Sequence, residues 1–147
     1  MTEIDQAAPV VGSSEIEIAA RPEIAWEVLT SIEQWPSWNP GVKEASLAGP
    51  VEEGSEFRWK AGPGTITSTI RQVEAGRRIV WTGNSMGISA IHVHTFEARN
   101  GGTLVTTQES YDGVVARLFR GRLKRTLDRA LHDGLQRLKA EAERREN

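Results

Sequence analysis

Hydrophobic and polar positions fall into three successive patterns along this chain. Glu15-Ile16-Glu17-Ile18-Ala19 alternates polar with apolar residues, the period of a half-buried strand. Pro22 then suits the first turn of a helix, where its missing N–H costs nothing, and Glu23 suits that helix's positive end. Ala25, Val28, Leu29 and Ile32 share one helical face with Trp26 on its flank. Trp35-Pro36-Ser37-Trp38-Asn39-Pro40 ends the helix, since each proline drives its predecessor out of the α region, and leaves room for a second short helical turn.

The second pattern is a run of strand-like segments: Val42 to Leu47, Glu56 to Lys60, Thr65 to Val73, Arg78 to Thr82, Ile88 to Ala98 and Thr103 to Tyr111. Turn residues separate them, among them Gly49-Pro50, Gly62-Pro63-Gly64, Gly76, Gly83-Asn84 and Asn100-Gly101-Gly102. Connections this short favour antiparallel neighbours. After Gly113 the period lengthens. Leu123, Leu127, Leu131, Leu135 and Leu138 form one stripe among arginines and lysines, which predicts a single amphipathic helix over Val114 to Glu143. Gly134 lies on that stripe and predicts a close packing partner there. The layout is α+β: a curved antiparallel sheet of about seven strands around a long C-terminal helix, with two short helices after the first strand. Residues 1–13 lack a period and are expected to be a mobile tail, leaving 14–147 as one domain.

Composition narrows the function. The 147 residues suit one domain large enough to hold a core without staples. The chain has no cysteine, which excludes disulfides, thiolate metal sites and a cysteine nucleophile, and fits a cytoplasmic setting. A net charge of −2 argues against nucleic acid as a partner. No apolar run reaches the length of a membrane span, and the acidic N-terminus is no signal peptide. No Walker loop, dinucleotide fingerprint or nucleophile elbow occurs, so no cofactor is expected.

The element order resembles the helix-grip fold of the START-like (SRPBCC) superfamily of polyketide cyclases/dehydrases and lipid-transport domains. The similarity runs over about residues 14–143. It rests on Ile18-Ala19-Ala20-Arg21-Pro22-Glu23-Ile24-Ala25-Trp26 with Trp35-Pro36-Ser37-Trp38-Asn39-Pro40, on Gly76-Arg77-Arg78-Ile79-Val80-Trp81, and on Phe96-Glu97, Gly101-Gly102-Thr103-Leu104-Val105 and Glu109-Ser110. The resemblance implies a cavity between sheet and long helix that holds a small, largely apolar or aromatic molecule. Ala48-Gly49-Pro50-Val51-Glu52-Glu53-Gly54 departs from the glycine-rich loop of the plant members, so no loop-specific role is carried over.

Candidate chemistry follows from Asn100-Gly101, which favours a two-residue type I′ turn and thereby fixes the register of its hairpin. Phe96 then faces Val105, His94 faces Thr107, His92 faces Glu109 and Ala90 faces Tyr111, all on one side, taken as the inward one. Trp38, Trp59, Trp81, His92, His94, Phe96, Val105 and Thr107, with Leu123 and Leu127 from the long helix, are the candidate cavity residues. His92 beside Glu109 has the makings of an oriented general base, with Tyr111 as a hydrogen-bond donor, for proton transfer on a carbonyl compound. The bland alternative is a polar cross-strand pair or polar groups wetting a cavity, and no metal site is expected on the two histidines and Glu109, because no second carboxylate lies near in the sequence. Trp26 and Trp81 also suit plain core packing, whereas Trp38 suits a cavity mouth. Arg117, Arg120, Arg122, Lys124, Arg125 and Arg129 make a basic helix segment. It suits a solvated face, or contact with RNA, a ribosome or an anionic membrane surface, and a chaperone-activator-like or ribosome-associated module is the third reading.

Overall fold

The computed structural model describes residues 2–147. Its elements run β1 (Val10–Ile18), α1 (Pro22–Thr30), a 3-10 turn (Ile32–Gln34) and α2 (Trp35–Trp38). Next come β2 (Glu44–Leu47), β3 (Glu56–Ala61), β4 (Gly64–Glu74), β5 (Arg78–Ser85), β6 (Ile88–Arg99) and β7 (Gly102–Asp112), then α3 (Val114–Leu118) and α4 (Arg120–Glu146). The strands form one antiparallel sheet in the order β1-β7-β6-β5-β4-β3-β2. Strands β2 to β7 meander as hairpins, and β1 pairs back onto β7. The Asn100-Gly101 turn has φ of 52° and 80°, the left-handed geometry a type I′ turn requires.

The core lies between the concave sheet face and the helices. Leu127, Leu131, Leu135, Leu138 and Ala142 of α4 are buried at three- and four-residue spacing. Val28, Leu29 and Ile32 meet Ile18, Ile70, Ile79 and Val105 beneath α1. Helix α1 starts at Pro22 with no side-chain cap, as an arginine at the N-cap position dictates.

Four expectations need correcting, the first being that Gly83-Asn84 is a turn: both residues pair within β5, and the chain turns at Met86-Gly87. Residues 1–13 are not a free tail where they are described. Val10 to Ser13 extend β1, because pairing with Tyr111 to Gln108 occupies backbone groups that β7 would otherwise leave open along its edge. Ile4 packs against Val80 and Val93 on the convex face. The buried Arg78 guanidinium donates to the Thr2 carbonyl at 2.8 Å and to Gln72 Oε1 at 3.1 Å, with Glu3 at 3.3 Å. Burial with one solvated carboxylate and two neutral acceptors anchors this segment to the sheet.

The C-terminal stripe is also not one helix from Val114. The chain breaks at Phe119, with φ −120° and ψ 37°, and α4 begins at Arg120. Ala116 turns inward onto Val10 and Leu127, which fixes α3 at its own angle. Finally, Gly134 has no close partner: a Cβ built there meets nothing within 4 Å. The tight glycine is Gly12 in β1, where an added Cβ would stand 3.0 Å from Leu127.

Candidate functional site

The register of β6 against β7 is the one that Asn100-Gly101 dictates. Ala90 faces Tyr111, His92 faces Glu109, His94 faces Thr107 and Phe96 faces Val105. Strand alternation then turns His92, His94 and Phe96 to the concave side. From β5, Trp81 lies directly across from His92 and adds its ring to the same surface.

A cluster of stacked rings results. Trp81 sits 5.0 Å from the His92 ring and 5.2 Å from that of His94, and the two imidazoles lie 4.4 Å apart. Trp35 packs on Trp81 at 5.6 Å and on Trp59 at 5.3 Å, so the Trp-Pro corner of α2 caps this wall from above. Trp59 Nε1 donates to Ser68 Oγ at 3.1 Å. A separate apolar cluster of Val10, Ala116, Leu127 and Leu131, with Leu123 and Tyr111 packed at its margin, joins β1 to α3 and α4.

Polar contacts orient the pair. His92 Nε2 lies 2.8 Å from Thr107 Oγ1, and His92 Nδ1 lies 3.5 Å from Glu109 Oε1. Both side chains keep about a seventh of their exposure, at 13% and 14%. Desolvation holds the His92 imidazole well below its ordinary pKa, and the neighbouring His94 adds to the effect. The same cause pushes Glu109 up to about 8 and His94 down to about 3. The Tyr111 hydroxyl is raised too, by burial and then by the Glu109 charge. The pair is therefore a neutral imidazole next to a protonated carboxyl near neutral pH. This departs from the charge-assisted contact that the residue types suggest, because burial outweighs a 3.5 Å attraction.

Two buried polar atoms have no partner among the described residues: His94 Nδ1 and Trp38 Nε1. An unpaired buried donor or acceptor costs about 1–3 kcal/mol unless something else satisfies it. Other candidate residues have different surroundings. Phe96 is edge-on to Trp26 at 5.4 Å, and Val105 is fully buried; both belong to the solid core under α1. Trp38 is half-buried against that same core. The sequence puts Trp35 at the helical corner but not among the cavity residues, and it gives Ser68 no role. A lone serine between Ile66 and Ile70 on an inward-facing period was the available signal for Ser68.

Two surface depressions lie elsewhere. One of about 390 Å³ separates Asn39–Gly41 from Asp133 and Arg137 of α4. Another of about 290 Å³ opens on the convex side near Asp5, Arg71 and Ile91. Among the described residues, no group of three His, Asp or Glu side chains is arranged to hold a metal ion.

Comparison with known proteins places this arrangement. Residues 9–143 match the sequence model of the family described as polyketide cyclase/dehydrase and lipid transport. A search of the curated proteins gives no match. Among solved structures, a hypothetical protein of Helicobacter pylori superimposes with a TM-score of 0.84 at 15% identity, over 97% of both chains. A START superfamily protein from Mycobacterium smegmatis gives 0.72 at 15% identity, over 91% of this chain and 97% of the other. The di-domain ARO/CYC protein StfQ from the steffimycin biosynthetic pathway gives 0.77 at 18% identity, over 93% of this chain and 52% of that one. At these identities the likeness is one of fold.

Proposed function

The chain belongs to the polyketide cyclase/dehydrase and lipid transport family, and from that premise we propose that it binds a small apolar or aromatic molecule between the sheet and α4. The observation that carries this reading is the unpartnered His94 Nδ1, on a ring only 6% exposed and stacked among Trp81 and His92. A ligand with one hydroxyl or carbonyl would satisfy that nitrogen while its apolar body lies against the indoles. Leu123, Leu127 and Tyr111 would close over it. Trp59 and Thr107 would line it, and Trp38 would offer a second donor.

A titration of intrinsic tryptophan fluorescence against apolar and aromatic compounds tests this. Compounds carrying an oxygen should bind, and His94→Leu should weaken them far more than their hydrocarbon analogues. Equal weakening of both would remove His94 from the reading. A panel that leaves fluorescence and melting temperature untouched would remove the binding function itself.

Glu109 supports a second reading, that of a cyclase/dehydrase-like enzyme. A carboxylic acid kept protonated near neutral pH can give its proton to a carbonyl oxygen, and Tyr111 lies on the same face as a further donor. His92 fits less well as the base, since both its ring nitrogens already face protein partners. Turnover of a polyketide-like carbonyl compound that is lost in Glu109→Gln would establish this reading. Turnover unaffected by that change would end it.

A further inference from the structure

Four large apolar side chains are exposed among the described residues: Met86 at 65%, Val114 at 70%, Leu118 at 71% and Phe119 at 53%. Three of them fall within six residues, Val114 to Phe119, while Met86 sits in the turn after β5 with its side chain beside Gly64. The Met86-Gly87 turn between β5 and β6 lies directly against α3, where a Cβ on Gly87 would stand 2.8 Å from Val115. Ala116 faces inward, so the short helix turns Val114 and Leu118 outward. The break at Phe119 then leaves two adjacent large apolar residues exposed at the tip where α3 meets α4. Single exposed apolar residues are ordinary, but a cluster on one tip points to an interaction site.

Charge at this tip is segregated. From Gly113 to Leu127 the chain has five basic residues and no acidic one, although the whole protein carries −2. Lys124 is engaged with Asp128 and the Val11 carbonyl, and Arg117 with Asp112. Arg120, Arg122 and Arg125 are exposed and form no ion pair among the described residues. Exposed apolar residues followed directly along the chain by free guanidinium groups match the boundary between acyl chains and anionic headgroups. A protein partner would need about 800 Å² from each side, more than three apolar side chains within six residues supply.

We propose that the tip of Val114, Leu118 and Phe119, flanked by Arg120, Arg122 and Arg125, docks this protein on an anionic lipid bilayer. The contact is peripheral: the apolar side chains enter the headgroup boundary and the arginines neutralise lipid charge. No helix among the described residues is long and apolar enough to cross a membrane. The proposal does not rest on the ligand reading, and its test needs no ligand.

The full chain is sedimented with phosphatidylcholine vesicles, with and without phosphatidylglycerol. Binding should require phosphatidylglycerol and weaken as salt rises. Leu118→Ser with Phe119→Ser should reduce partitioning about tenfold or more. Arg120→Gln with Arg122→Gln should reduce it about fivefold for each charge removed. All four positions are exposed, so circular dichroism and melting temperature should stay close to those of the parent. Absence of sedimentation with anionic vesicles overturns the proposal, as does binding that both double variants retain. Self-association or capture of an acidic protein, lost in Leu118→Ser with Phe119→Ser and unaccompanied by vesicle binding, overturns it too.

Discussion

The β6–β7 hairpin contains two regions built by one register and governed by opposite physics. Near the turn, Phe96 and Val105 face each other beneath Trp26 and the helices, buried to 5% and 0%. Toward the open end, His92 faces Glu109 and His94 faces Thr107, nearly as deep but polar. The first region removes apolar area from water and stabilises the fold. The second spends part of that stability on groups held neutral and on a ring nitrogen without a partner. The difference teaches where to look for function: the buried place that stability alone does not account for.

Truncating the turn-end core gives the largest effect. Phe96→Ala removes the ring edge-on to Trp26 and leaves a cavity among well-packed neighbours, so unfolding in urea should show a loss of about 3–5 kcal/mol. Leu127→Ala, which opens the packing of α4 on β1 beside Gly12, should cost about 2–5 kcal/mol. A loss under about 0.5 kcal/mol at both positions would erase the contrast, since neither region would then depend on packing.

The pH dependence of stability separates the two regions next. Burial raises Glu109 from the ordinary carboxyl value of 4.5 to about 8, so the folded protein holds a proton that the unfolded chain releases above pH 4.5. Its contribution is present below the unfolded value and fades as pH rises through about 8. His92 and His94 are depressed, so their contribution is present above about 6.5 and lost as pH falls. Two histidines outweigh one carboxyl on the acid side, which puts maximum stability near pH 6.5. Between there and pH 8 the loss should approach about 2 kcal/mol, at no more than ~1.4 kcal/mol per pH unit. Glu109→Gln should flatten that alkaline limb. An unchanged limb in the variant would mean that Glu109 ionises normally.

How much of this was legible in the sequence differs between the same two regions. Asn100-Gly101 forces a turn that only small or amide residues adopt, so every pairing from Arg99–Gly102 to Ala90–Tyr111 follows from two residues. The leucine stripe was legible for the same local reason. The neutral state of His92 and Glu109 was not, because it depends on how completely Leu127, Trp81 and Tyr111 exclude water. Nor was the docking of Ile4, whose partners Val80 and Val93 are far away in sequence and leave no period around it. The break at Phe119 was hidden because α3 and α4 are each regular and only their relative angle differs.

His94→Leu should bring a smaller change and sharpen the contrast with Phe96. The substitution roughly conserves volume and removes an unpartnered buried nitrogen, so stability should stay within about 1 kcal/mol of the parent or rise. The two inward positions on one strand would then respond with costs several-fold apart. A loss above about 2 kcal/mol would show that His94 makes a structural hydrogen bond, placing it with Phe96 on the stabilising side.

Gly134→Ala is the finest test. Glycine within a helix costs about 0.5–1 kcal/mol relative to alanine, and at this position an added Cβ meets nothing within 4 Å. Thermal and urea unfolding should therefore show a gain of that size, with no clash to offset it. Gly134 lies at the edge of the buried stripe, next to Leu135 and one turn from Leu131 and Leu138, so the open space beside it is adjacent to the region covered by α4. If bound ligand reaches that space, the same methyl group should weaken ligand binding while the protein becomes more stable. Opposite signs for stability and affinity would mark the edge of the binding region. A stabilised variant with unchanged affinity would confine the ligand to the neighbourhood of Trp81 and His94, and a destabilised one would mean that the space is filled.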